Sequence, residues 1–294
     1  MKSKNRLVVV AILAVALCSL FIVSGAVCAE WTVMGPIPTT ETLNDVWGAS
    51  SNAVFAVGDR ETILFFDGSS WVEQNYLVDG TILRDVWGNS DSNVYAVGDS
   101  GKILHYDGNW AEVTDISTTA NLNGVWVSPN GEVFIVGAVP PVANNSIILH
   151  YTGSMWEVQD SGTGNTLNAV WGTSENEVFA VGANGTILKY DGNNWVSMDT
   201  DTITAWLTCI WGSSGSDVFS GGGTNIYYYD GNQDGTWTES VGVIEYPDDL
   251  WGAASNDVYA VGGSDYFKIE HFDGNSWGVQ YNPGYHPNGC LLYT

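Results

Sequence analysis

The chain has 294 residues, of which 33 are acidic and eight are basic, and its formal net charge is −25 at pH 7. A surface this acidic repels nucleic-acid phosphates and anionic membranes, so the composition argues against both as partners and favours cationic ones. The 35 glycines, 14 tryptophans and 14 tyrosines, with almost no Lys- or Glu-rich helical stretch, predict an all-β fold.

The first 29 residues have the pattern of a secretory signal peptide. A basic end is followed by an almost entirely apolar run, residues 7–23, and small residues precede a cleavage site after Ala29. The alternative is an uncleaved leader that anchors the chain, because the apolar stretch is long enough to span a bilayer. We therefore predict a secreted or cell-surface protein whose mature part, residues 30–294, is a single domain.

After the leader, one unit of about 40 residues recurs six times. Each copy has a Trp, a Val seven residues later and a Gly eleven residues later. The tryptophans that start this spacing are Trp47, Trp87, Trp126, Trp171, Trp211 and Trp251. Each unit holds four short apolar runs separated by Gly, Asn and Asp, which is typical of a four-stranded β-propeller blade. We assign these six tryptophans to core packing between blades.

The repeats predict a β-propeller whose six blades start near residues 43, 82, 122, 167, 207 and 247. Trp31–Met34 is similar to the last strand of a blade, and residues 288–294 are similar to a first strand, so a terminal strand is left over at each end. We prefer six blades with these spare strands. Seven blades, one of them only partly present, is the alternative. We expect a monomer.

The pattern V-W-G-x-S, V-[FY]-A-V-G and I-L-x-Y-D-G-x-x-W resembles the repeats of secreted bacterial and archaeal propellers of the Asp-box (BNR) and photosystem II assembly-factor types. The resemblance covers residues 31 to about 281 and implies the propeller fold. The turn D-G-x-x-W is shorter than the strict Asp-box turn. Sialidases, the enzymatic relatives of these propellers, use an arginine triad, whereas the mature chain holds only Arg60 and Arg84. Sialidase activity is therefore not expected.

No catalytic or metal-binding motif stands out in the sequence. His105, His150 and His271 share one third-strand position, which favours a structural role over a metal site. The Asp-Gly pairs before the fourth strands are typical of turns rather than of calcium loops. We expect no metal, no cofactor and no enzymatic activity. Paired carboxylates, for example Asp248 and Asp249, leave a glycoside hydrolase or lyase as the catalytic alternative.

One face of the predicted propeller carries the loops from fourth to first strands and those between second and third strands. On this face, the residue five positions before the repeat Trp is Trp206 in the fifth unit and Tyr246 in the sixth. An insertion in the third unit adds Pro140 and Pro141. We predict a ligand-binding site at these four residues, with local loop packing as the alternative.

The ligand is predicted to be a protein or a glycan of the cell envelope. The preferred function is a protein-interaction or adhesion module, and a carbohydrate-binding module is the alternative.

Overall fold

The computed structural model describes residues 9–12, 36–74, 80–140, 145–198, 200, 202–232, 234–240, 244–263, 268–282 and 290–293. Within these ranges the chain forms a six-bladed β-propeller, and each blade is a sheet of four antiparallel strands in sequence order. Helical structure in this part of the chain is limited to three short 3-10 turns. None of its helices is long and apolar enough to cross a membrane. The predicted all-β, six-bladed fold is confirmed.

The strands follow the repeats closely. Strand β1 (Val9–Ile12) precedes the blades. Blades one to three consist of β2 (Leu43–Ser50), β3 (Ala53–Gly58), β4 (Ile63–Phe66), β5 (Trp71–Glu73), β6 (Leu83–Ser90), β7 (Asn93–Gly98), β8 (Ile103–Tyr106), β9 (Trp110–Glu112), β10 (Asn121–Val127), β11 (Val133–Ala138), β12 (Ser146–Tyr151) and β13 (Trp156–Gln159). Blades four to six consist of β14 (Leu167–Ser174), β15 (Glu177–Gly182), β16 (Ile187–Tyr190), β17 (Trp195–Ser197), β18 (Leu207–Ser214), β19 (Asp217–Gly222), β20 (Asn225–Tyr229), β21 (Thr238–Ser240), β22 (Pro247–Ala254), β23 (Asp257–Gly262), β24 (Lys268–Phe272) and β25 (Trp277–Tyr281). Strand β26 (Cys290–Tyr293) follows them, and the 3-10 turns are Asp59–Glu61, Asp99–Gly101 and Ala183–Gly185.

Strands β1 and β26 form a separate, parallel two-stranded sheet in which Val9 lies opposite Cys290. Strand β26 contacts the first strands of blades one and six, so it lies where the two ends of the ring meet. The spare C-terminal strand predicted from the repeats occupies this junction. The predicted strand Trp31–Met34 lies outside the described residues. Strand β1 falls within the predicted leader, whose cleavage stays a prediction.

The blades are joined by a contact between the repeat Trp of one blade and the Gly after the repeat Trp of the next. A Cβ atom added to these glycines would lie only 2.7 to 3.0 Å from the tryptophan ring carbon Cη2. The pairs are Trp47 on Gly88, Trp126 on Gly172, Trp171 on Gly212 and Trp211 on Gly252. At these four junctions a side chain would displace the ring, which explains the Gly after the repeat Trp there, whereas blade three holds Val127 at this position.

Aromatic side chains of the second strands continue the same packing outward. Phe55 is fully buried, and its ring lies 5.0 Å from the ring of Tyr106 and 5.8 Å from that of Trp110 in the next blade. The equivalent rings Phe134, Phe179 and Phe219 are also buried and contact the next blade in the same way. The core is thus a series of aromatic layers between blades, each worth several kcal/mol on burial.

The Asp-Gly pairs before the fourth strands form hydrogen-bonded turns. The Asp67 carboxylate accepts hydrogen bonds from the backbone N–H groups of Ser69 and Ser70 at 2.8 and 2.9 Å. Gly68 supplies the positive φ of 91° that the turn requires. Asp191 and Asp273 bond their own turns in the same way. These carboxylates therefore have a structural task.

We expect Gly212→Ala to destabilise the fold by about 1–3 kcal/mol, because the added methyl group would lie 2.7 Å from both Trp171 and the carbonyl oxygen of Asp217. Chemical denaturation of purified protein measures this change. Gly278→Ala is the matched control, since no atom lies within 4 Å of its added Cβ. Equal stability of the two variants would contradict the interblade packing described above.

Candidate functional site

In each blade, the residue five positions before the repeat Trp packs its carbonyl oxygen against the Gly eleven positions after that Trp. A Cβ atom on Gly222 would lie 2.2 Å from the carbonyl oxygen of Trp206, and one on Gly262 would lie 2.4 Å from that of Tyr246. The other four blades show the same close approach, at 1.9 to 2.1 Å. The backbone at this position is therefore fixed in every blade, while the side chain is free to vary.

Trp206 and Tyr246 are the members of this set that project into solvent. Their exposed fractions are 55% and 52%, whereas the equivalent side chains in the other four blades are partly buried. Those four are Thr42, Ile82, Asn121 and Thr166. Large exposed aromatic side chains on a fixed backbone are what a binding surface needs, because little conformational entropy is lost when they are covered.

Trp206 lies at the mouth of the central channel, on one wall of a cavity of about 400 Å³. The other lining residues are Asn44, Asp59, Ile82, Arg84, Asn123, Asn168 and Thr208. Tyr246 and Pro140 are exposed but do not line this cavity. Pro141 lies outside the described residues. The structure therefore brings Trp206 to the channel and leaves Tyr246 and Pro140 at the periphery.

Tyr246 has a strained backbone. Its φ is 54°, in the left-handed region that costs a bulky L-residue roughly 1–2 kcal/mol. Its N–H donates to the carbonyl of Gly223 at 2.7 Å, and its carbonyl accepts from the N–H of Gly263 at 3.1 Å. These two bonds tie the strained residue to the neighbouring loops of blades five and six. A Gly would adopt this φ without strain, so the backbone conformation does not explain why a Tyr stands at this position.

Below the mouth, side chains three positions before the repeat Trp donate hydrogen bonds to the next blade. Asn44 donates to the carbonyl of Leu83 at 2.7 Å, and Thr208 donates to that of Pro247 at 2.8 Å. Asn123 and Asn168 make the same bond to the next blade. Arg84 instead pairs with Asp99 at 2.5 Å. This ring of polar groups forms the floor of the mouth and the ceiling of the channel.

The channel below is a cavity of about 420 Å³ that four aspartates line from blades one, two and six: Asp45, Asp85, Asp248 and Asp249. Asp45, Asp85 and Asp249 stand two positions before the repeat Trp, and Asp248 stands three positions before it. The Asp45 carboxylate accepts from the N–H of Val86 at 2.8 Å, and that of Asp85 accepts from the N–H of Val125 at 2.6 Å. Among the described residues, Asp249 accepts from the N–H of Leu250 alone, at 2.8 Å and within its own blade.

These carboxyl groups hold protons more tightly than ordinary aspartates. Burial raises the pKa of Asp45 well above its usual range, and the charge of Asp85, to which it is hydrogen-bonded, raises it further. Burial also raises the pKa of Asp85. It raises the pKa of Asp249 to about 7, against the hydrogen bond from Leu250. Because their pKa values are raised, these carboxyl groups are partly protonated at neutral pH, and the channel carries less negative charge than fully ionised aspartates would give it.

The histidines form a different, structural set. His105, His150 and His271 stack on second-strand rings with centroids 4.3, 4.0 and 4.4 Å apart. His150 contacts the Glu132 carboxylate at 2.7 Å, and His271 contacts that of Asp257 at 2.6 Å. Across the described residues, no group of three or more His, Cys, Asp or Glu side chains is placed to hold a metal ion.

The sequence analysis singled out Asp249 only as a member of an acidic pair and did not identify Asp45 or Asp85. Asp45, Asp85 and Asp249 all lie two residues before the repeat Trp, which places them in one layer, and this shared position is the sequence feature that could have identified them. In blades three to five the same offset holds Gly124, Ala169 and Cys209. The propeller fold therefore does not require a carboxyl group at this position.

Comparison with known proteins shows the fold and no family. YCF48 bound to a D1 peptide has a TM-score of 0.62 and 18% identity, over 83% of this chain and 82% of that one. Virginiamycin B lyase from Staphylococcus aureus has a TM-score of 0.71 and 14% identity, over 86% and 90%. U3-55K has a TM-score of 0.67 and 10% identity, over 88% and 90%. No family model and no curated protein matches the chain.

One of these neighbours is bound to a peptide and another is a lyase, so the shared fold does not decide between a binding and a catalytic function. The resemblance to Asp-box repeats stays a prediction. The function of this chain therefore depends on its own channel and on the face that carries Trp206.

We expect Asp249→Asn to raise the free energy of unfolding by about 1–3 kcal/mol at pH 8.5 and far less at pH 4. The folded pKa of about 7 lies above the usual value of 3.8, so the carboxyl group favours folding at acid pH. That contribution is lost as the pH rises through about 7. Asn does not ionise and still accepts the hydrogen bond from Leu250, so Asp249→Asn avoids this loss of stability. Urea unfolding at both pH values measures the effect.

Asp67→Ala is the control of opposite sign. Hydrogen bonds from Ser70 and Ser69 lower the pKa of Asp67, so its contribution is present at neutral pH and lost as the pH falls through its folded pKa. This variant should be destabilised at pH 8.5 and close to wild type in strong acid. A pH-independent gain from Asp249→Asn would contradict the raised pKa.

Proposed function

We propose that this protein is a non-enzymatic propeller that binds a protein or peptide partner on the face carrying Trp206 and Tyr246. The observation that carries the proposal is the exposure of Trp206 at the mouth of the channel. It exposes 55% of its surface at a position where four other blades place partly buried side chains. Tryptophan and tyrosine dominate the energetics of protein interfaces, because they bury much apolar area and keep a polar edge.

Two further observations support a binding role. YCF48, which shares the fold, was solved bound to a D1 peptide, so a protein of this fold can bind a peptide. In the channel, Asp45 and Asp85 bond the backbone of neighbouring blades, which gives these carboxyl groups a structural task before any catalytic one. A peptide partner also suits a face that combines an exposed aromatic ring with a floor of amide groups.

The partner would be met outside the cell or at its surface, because we propose that the leader directs export. Mass spectrometry of protein isolated from its native host should find Glu30 at the N-terminus. An intact leader in the membrane fraction would contradict cleavage and indicate a tethered protein. Either result leaves the binding face unchanged.

Selection from a library of displayed random peptides tests the binding role. We expect peptides that bind the wild-type protein and lose about tenfold or more in affinity with Trp206→Ala, as truncation of an interface hot spot does. Tyr246→Gly should weaken binding less, since Tyr246 lies outside the mouth cavity, and should not destabilise a backbone already at positive φ.

The matched control is Val158→Ala, which changes a side chain that is 69% exposed on an outer strand and does not line the mouth cavity. Thermal unfolding of each variant separates binding from folding. Trp206→Ala should change stability by less than about 0.5 kcal/mol. Trp171→Ala, which opens a cavity in the core, should lose about 3–5 kcal/mol.

Peptides that bind Trp206→Ala as well as wild type would contradict the assigned face. Trp206-dependent binding on a glycan array, with no peptide selected, would favour the carbohydrate-binding alternative. A loss of stability in Trp206→Ala comparable to that of Trp171→Ala would show that Trp206 is part of the core.

A further inference from the structure

The mouth cavity and the channel cavity are neighbours joined at one ring of residues. Both are lined by Asn44, Arg84, Asn123, Asn168 and Thr208. Trp206 stands above this ring and the carboxyl groups stand below it. Trp206 and Asp249 occupy positions three residues apart along equivalent first strands, which corresponds to roughly 10 Å of depth. A long side chain entering past Trp206 would therefore reach the carboxyl layer.

The channel wall has two chemically different parts. Asp45, Asp85 and Asp249 form an acidic side on blades one, two and six, where Asp248 also lines the cavity, and Ala169 and Cys209 line the channel on blades four and five. Below them the lining includes the apolar residues Val46, Val125, Val170, Ile210 and Leu250. The cationic end of a guest that enters from the mouth would therefore meet the acidic side before it reached this apolar lining.

Within the described part of the chain, no Lys or Arg forms an ion pair with these three carboxyl groups. Arg84 lines both cavities, but its Nε donates to Asp99. The charges of Asp85 and Asp249 raise the pKa of Asp45, and the charge of Asp85 raises the pKa of Asp249, so these carboxylates repel one another when ionised. A cation brought by the ligand would relieve this repulsion.

We propose that the face around Trp206 docks a basic peptide and that one lysine or arginine side chain of this peptide enters the channel. This inference rests on the proposed function and names the chemistry of the partner. The stem would pass the Trp206 ring, whose face attracts cations, and the charged end would lie among Asp45, Asp85 and Asp249. The charge of the whole chain, −25, would steer such a peptide toward the protein.

The carboxyl groups can serve this docking without giving up their hydrogen bonds within the fold. Asp45 and Asp85 keep one bond each to a neighbouring blade, and Asp249 keeps a bond only to Leu250. Asp249 is therefore the residue freest to meet a ligand. The equivalent positions in blades three to five, where Gly124, Ala169 and Cys209 stand, show that the ring closes without an acid there.

The test uses a peptide selected as described above, made with lysine and with norleucine at its basic position, since norleucine keeps an apolar stem and lacks the charge. Affinities of both peptides are measured for wild-type protein and for Asp249→Asn. We expect norleucine to weaken binding to wild type by about tenfold. Asp249→Asn should weaken the lysine peptide severalfold and leave the norleucine peptide unchanged, so the cycle shows coupling.

The control variant is Glu157→Gln, which removes the same charge from an exposed position on the outer strand β13. It should lower the affinity of the lysine peptide by less than Asp249→Asn does and show no coupling. Because Asp249→Asn is expected to fold at least as stably as wild type, a loss of binding cannot be ascribed to unfolding.

Trp206-dependent peptides without enriched Lys or Arg, or an absence of coupling with Asp249, would overturn this inference and leave the binding function in place. If no peptide binds in a Trp206-dependent way, the binding function falls and the basic-peptide inference falls with it.

Discussion

The close contact between a tryptophan ring and a glycine of the next blade is the constraint on which the rest of this structure depends. At Gly88, Gly172, Gly212 and Gly252 the ring carbon lies where a side chain would start. This contact sets the distance and angle between neighbouring blades, and the buried aromatic layers follow from it. A second close approach, of Gly222 to the Trp206 carbonyl, fixes where each first strand enters the ring. Two glycines and one tryptophan in five of the repeats, and one of each in the third, thus define the framework.

A framework that fixes the backbone so strictly leaves function to the side chains it does not use. Trp206, Tyr246 and the three channel aspartates all occupy positions where other blades hold different residues. Tyr246 also keeps a strained φ of 54° that a glycine would relieve. Departures of this kind are expected where a protein gives up stability for a site. Trp206 and the aspartates line the mouth and the channel below it, and this coincidence links the fold to the proposed binding of a peptide.

The six blades were predictable because the Trp, Val and Gly spacing records the strand order of each blade directly. Trp206 was predictable as a departure from that spacing. Asp45 and Asp85 were not, because acidic residues are frequent in this chain and a sequence does not tell which of them face the axis. Only the shared offset from the repeat Trp distinguishes them. Pro140 and Pro141 were predicted from an insertion alone, and the mouth cavity does not reach Pro140.

The central claim is that the ligand enters at Trp206 and reaches into the channel. A crystal structure of the protein with a selected peptide tests it most directly. The account predicts a peptide backbone lying across the mouth, in contact with the Trp206 ring, and a basic side chain whose charged end lies within hydrogen-bonding distance of Asp249. A peptide paired as an extra strand on the outer edge of a blade, with the channel mouth open, would contradict the account.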